Sequence, residues 1–186
     1  MVTVRDVIAL AAANMGREDL AAAVTSQAGA LSGETAALLR CYRLVENEIA
    51  LDYFPLKTVE TLTAANGKLP YADFSYAPVN VTRVTNAKGG GTLAFEFYPD
   101  HLRMSEKAER VEVEYSFAPA EKELEDEPSF PECISPRLIA MGVCAEFCLS
   151  RGQYAEAAAW EERFHDALHA VNIPRRRVTV RSRRWV

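Results

Sequence analysis

The period of the hydrophobic pattern changes twice along this chain, and that double change restricts the fold more than any other feature. From Glu34 to Phe54 apolar residues recur at helical spacing: Leu38, Cys41, Tyr42, Val45, Ile49 and Tyr53 share a face, while Arg40, Arg43, Glu46 and Glu48 lie largely elsewhere. Pro55 ends that segment. From Lys57 to Phe117 apolar and polar residues alternate, the period of a half-buried strand. Helical spacing returns after Ser135-Pro136, where Ser is a good cap and Pro sits at a position whose missing donor costs nothing. This order predicts an α+β fold: a helical bundle of about four to five helices with an inserted small antiparallel β-sheet subdomain.

Local signals place the elements. Thr3 and Asp6 resemble a capping box ahead of Val4, Val7, Ile8 and Ala11, and Gly16 closes that first helix. An alanine-rich second helix is expected from Arg17 to about Ser26. Strands are expected at Lys57 to Leu62, Asn80 to Thr85, Thr92 to Tyr98 and Arg110 to Phe117, within one half-buried sheet of about four to six strands. Asn66-Gly67 reads as a tight hairpin turn, because both central residues of that turn need positive φ. The helix after Pro136 carries Leu138, Ile139, Met141, Val143, Cys144, Phe147 and Cys148, is apolar nearly all round, and is expected at the centre of the bundle. A last helix, from about Tyr154 to Ala170, has an apolar stripe of Ala157, Trp160, Phe164 and Leu168. Between Glu121 and Glu132 the charged, proline-bearing sequence predicts an exposed connector. The expected division is therefore 1–55 and 135–172 for the bundle, 56–118 for the β insertion, 119–134 for an acidic linker and 173–186 for an extended basic tail.

Charge is divided as sharply as period. The net charge is −5, yet residues 175–186 hold Arg175, Arg176, Arg177, Arg181, Arg183 and Arg184 with no acid, leaving 15 basic against 26 acidic residues before them. An acidic body with a basic tail suggests that the tail pairs with something acidic. Three readings of the tail stand side by side. It is a solubilising end; or an arm for nucleic acid, with arginines on phosphates and Trp185 stacking; or a strand donated to another protein's sheet edge. The alternation of Val178 and Val180 with Thr179 and Arg181 favours the strand, and Glu121, Glu123, Glu125, Asp126 and Glu127 offer an acidic intersubunit surface to receive it.

Catalytic and metal chemistry find little support in the residues. Cys144 and Cys148 are four apart on one helix and His165 and His169 repeat that spacing on the next, which makes a four-ligand site conceivable, but thiols in so apolar a helix read more simply as small buried hydrophobes. Lys88-Gly89-Gly90-Gly91 runs into a strand rather than opening a helix, so it is a turn and not a phosphate-binding loop. Cys133 has no nearby histidine in sequence to activate it. No enzyme, cofactor or metal is expected. At 49% hydrophobic and 25% charged residues the chain can bury a core without disulfides. Its apolar runs are too short for a membrane span, and its first residues lack the basic region and apolar core of a secretory signal, so synthesis in a cytoplasm, with reduced cysteines, is expected.

The stretches Leu38 to Leu56 (LLRCYRLVENEIALDYFPL) and Ile134 to Gly152 (ISPRLIAMGVCAEFCLSRG), the sheet with Asn66-Gly67, the Trp160-centred helix and the ending Arg183-Arg184-Trp185-Val186 together resemble the head-to-tail connector, or adaptor, proteins of tailed bacteriophages and prophages. The likeness runs from about Leu38 to Val186 and lies in order and texture, not in one motif. It implies a structural protein of the virion neck, assembled in the host cytoplasm as a ring, typically twelvefold, that joins the portal protein to the tail or stopper protein. DNA would pass through without sequence-specific contact. The resemblance gives the C-terminal segment, here Arg175 to Val186, the part that reaches the portal.

Overall fold

The computed structural model describes residues 2–26, 33–130 and 134–172; the expected C-terminal strand lies outside them. The fold is α+β, with five α-helices and two small antiparallel sheets among the described residues.

Helix α1 (Val4–Asn14) opens on the expected capping box: Asp6 Oδ2 accepts from the Thr3 backbone N–H at 2.9 Å, and Thr3 Oγ1 accepts from the Asp6 N–H at 3.4 Å. Helix α2 (Glu18–Ser26) follows a turn at Gly16, whose φ of 72° suits glycine. Helix α3 (Gly33–Glu48) was expected to run on to Phe54. Its last turn instead winds more widely over Ile49–Tyr53, where the Phe54 N–H donates to the Ile49 carbonyl at 2.7 Å, five residues back. Helix α4 (Pro136–Ser150) is capped by the Ser135 hydroxyl and packs on α1, α3 and α5 (Tyr154–Asn172). Gly142 permits that centre: a Cβ there would stand 2.7 Å from Val45 Cγ1 and 2.9 Å from Phe164 Cε2, so α3 and α5 reach α4 only across a bare backbone. Centrality is incomplete, because Met141, Ala145 and Glu146 are only half-buried and Leu149 is exposed.

The alternating region forms two three-stranded sheets rather than the single sheet expected. One has the order β1 (Leu56–Thr63), β6 (Arg110–Phe117), β3 (Pro78–Asn86); the other has β2 (Lys68–Pro70), β5 (His101–Met104), β4 (Phe95–Phe97). Two turns carry the chain from one sheet to the other. Asn66 and Gly67 both have positive φ, 53° and 75°, and Ala65 and Lys68 exchange backbone hydrogen bonds at 3.0 Å across them. The glycine run turns β3 back, with the Asn86 N–H on the Gly91 carbonyl at 2.9 Å. Register shifts in β3 at Pro78/Asn80 and Val81/Arg83 bend that strand. The two sheets share a core of Leu69, Leu102, Val84, Val111, Val113 and Tyr115, separate from the helical core around Ile8, Leu38, Tyr42, Ile49, Ile139 and Leu168.

The described part of the segment expected as an exposed connector, residues 121–130, packs instead as a strap on the bundle. Leu124 and Phe130 are buried in the helical core. The Leu124 and Asp126 carbonyls accept from the Arg5 and Val4 N–H groups, both at 2.9 Å, and so satisfy two donors that the first turn of α1 leaves open. Two apolar side chains in a charged stretch suffice to draw it down.

Candidate docking surfaces

The tail residues proposed to dock, Arg175, Arg176, Arg177, Val178, Val180, Arg181, Arg183, Arg184 and Trp185, lie outside the described residues. The acidic set is described, and most of it is engaged within the chain. Arg43 on α3 donates to the Lys122 carbonyl at 2.9 Å and pairs with Glu123 at 2.9 Å and Glu121 at 3.5 Å. Arg5 on α1 pairs with Glu125. Asp126 Oδ2 accepts from the Glu123 N–H at 2.7 Å, and Glu127 is half-buried. The carboxylates of Glu121, Glu123 and Glu125 remain largely solvent-exposed, so these pairs orient the strap while leaving an acidic outer face.

The four candidate metal ligands face different neighbours. Cys144 Sγ donates to the Ala11 carbonyl at 3.4 Å and Cys148 lies 3.8 Å from Met15 Sδ, both against the α1 side. His165 Nδ1 is 2.8 Å from the Tyr53 hydroxyl, and the His169 ring lies edge-on to the same tyrosine at 6.0 Å. Among the described residues no three His, Cys, Asp or Glu side chains gather where one metal ion would reach them. Burial pushes the Cys144 thiol up to about 12 and Cys41 to about 11, and raises Cys148 as well. These thiols are protonated at neutral pH and serve as packing groups.

Two features escaped the sequence pattern. Glu46, read there as lying largely off the apolar face, is 1% exposed; its Oε1 accepts from the Tyr42 hydroxyl at 3.0 Å and the Ser129 N–H at 2.7 Å, tying the strap to α3. The Tyr42–Glu46 spacing of four was the available signal, since such pairs meet on a helix. The second is a groove of about 230 Å³ between the end of α3, α4 and α5. Gly142, Ala145, Ala157 and Phe164 line its apolar part, and Glu48, Glu146 and Glu161 give it charge. Burial raises the pKa of Glu48, His165 opposes that rise, and Glu146, Asp52 and Glu161 add to it. Glu48 and Glu146 make no hydrogen bond or ion pair with a described residue, whereas Glu161 lies 3.7 Å from His165.

No protein-family model matches the chain, and no curated protein matches it. Apolar side chains stand exposed on both units: Leu44, Leu51 and Leu149 on the helices, Val59, Val79 and Phe97 on the strands. Strands β1 and β3 are the outer strands of their sheet, and β1 pairs only with β6 among the described residues. No described helix is long and apolar enough to cross a membrane.

Proposed function

We propose that the chain is a non-enzymatic structural protein of the virion, a head-to-tail adaptor that forms a ring, typically twelvefold, below the portal of a tailed phage. The resemblance over Leu38 to Val186 motivates this reading, and the observation that carries it is the charge division: an acidic body whose strap holds Glu121, Glu123 and Glu125 outward, followed by six arginines in the last twelve residues. An acidic wall suits a conduit to which DNA must not adhere, and a basic, alternating tail suits a strand donated to the portal. Exposed apolar residues on the bundle and on the β unit supply contacts for neighbouring copies and for the stopper or tail protein. The extended tail strand belongs to this proposal.

Mixing the purified protein with cognate portal rings and imaging them by electron microscopy tests it. A new collar on the portal is the expected result, and bare portals at micromolar protein would overturn the adaptor reading. The arginines also suit the rival reading, a nucleic-acid arm. Duplex DNA binding that survives physiological salt and vanishes on deleting the tail would favour that rival.

A further inference from the structure

The groove between α3, α4 and α5 combines four properties. It is concave, its floor is made of small or aromatic side chains, its carboxylates form no ion pair with a described residue apart from the Glu161–His165 contact, with His165 the one cation-capable group near Glu48 among the described residues, and one wall is the helix that leads into the arginine-rich segment. Glu48 is half-buried there beside Glu146, so two acids share a partly desolvated surface with no hydrogen bond or ion pair to a described residue. Leaving two such groups together is unfavourable, and a guanidinium offsets both costs at once, with a planar fork that meets carboxylate oxygens and weak hydration of its own.

We propose that this groove holds the chain's own C-terminal segment, Arg175 to Val186, in the free subunit. Reach is sufficient. At about 1.5 Å per helical residue, the groove begins about 10 Å back from Asn172 at His165 and extends to about 22 Å at Ala157. Twelve extended residues span about 40 Å, so the segment covers that distance after reversing direction. Composition also fits: arginines meet Glu48, Glu146 and Glu161, while Val178, Val180 and Trp185 have an apolar floor at Ala145, Ala157 and Phe164. A short tether keeps the segment at millimolar effective concentration beside its own groove, far above the concentration of any second copy in dilute solution. The proposal goes beyond the adaptor reading and does not require it.

The test uses the full chain alone, without portal. Val180 is replaced by the photoreactive residue benzoylphenylalanine, an equal mixture of 14N- and 15N-labelled protein is irradiated at low micromolar concentration, and cross-links are mapped by mass spectrometry. Cross-links within one chain to residues 142–149 and 157–165 are expected, falling by about fivefold or more in the Glu48→Gln/Glu146→Gln variant and in about 1 M salt. Circular dichroism of that variant confirms that its helices persist. Cross-links elsewhere on the chain, cross-links joining 14N to 15N chains, or a groove yield unchanged in the folded variant would each overturn the proposal.

Discussion

Gly142 shows how one residue sets the geometry of the helical unit. Its missing side chain admits Val45 and Phe164 to van der Waals distance of the α4 backbone. A Gly142→Val substitution must push α3 or α5 away, and overpacking of this kind costs about 1 to 3 kcal/mol. Thermal denaturation is expected to show a clear fall in Tm; an unchanged Tm would mean that the helices slide apart freely. Cys144 offers a pH test with a definite sign. Its pKa is raised by burial from the ordinary 9.0 to about 12, so the native state holds a proton that the unfolded chain gives up. The stabilisation is complete below pH 9, is lost as pH rises toward 12, and is absent from Cys144→Ala. Urea titrations between pH 8 and pH 11 are expected to show a steeper alkaline loss for the native chain than for the variant; parallel curves would contradict the assignment.

Among the elements, the strap departs furthest from what its sequence advertises. Charge and proline between Glu121 and Glu132 read as a connector, but Leu124 and Phe130 anchor it in the helical core and its carbonyls finish the first turn of α1. Leu124→Ala is expected to cost about 2 to 3 kcal/mol in chemical denaturation, as a core position does, whereas a connector position would cost almost nothing. The tight turn at Asn66-Gly67 is the opposite case, legible in two residues because it demands positive φ at both, although it links strands of different sheets through a single Ala65–Lys68 bridge where a paired hairpin was expected. Gly67→Val is expected to disturb amide shifts across β2 and β5 while leaving those of α1, α3 and α4 in place; unperturbed β2 and β5 shifts would show that the turn tolerates a β-branched residue. Capping at Thr3/Asp6 and at Ser135-Pro136 was readable for the same reason, since each signal lies within four residues. The contact of Glu46 with the strap was not, because Ser129 is 83 residues away, and neither was the split into two sheets, which depends on how turns redirect strands after they form. Of the candidate sites, the sequence singled out the acidic residues of the strap but not the arginines that hold them, Arg5 and Arg43, each far off in the chain. The groove was invisible, since its residues come from three helices and its defining property is an absence of side-chain bulk at Gly142, Ala145 and Ala157.

At the scale of the whole molecule, two separate cores sit in one chain, joined where α3 passes into β1 and where β6 passes into the strap. Such a division would suit the proposed adaptor, with the β unit facing one partner and the bundle another. The tail adds charge of the opposite sign to the body, so docking is expected to weaken steeply with salt if arginine contacts dominate it. The most direct measurement compares collar formation on cognate portal rings, by electron microscopy, for the full chain and for a chain ending at Asn172 whose circular dichroism matches. Collars with the full chain and bare portals with the shortened one are the predicted result; collars of equal occupancy with both would contradict the role given to the tail, and bare portals with both would contradict the adaptor reading itself.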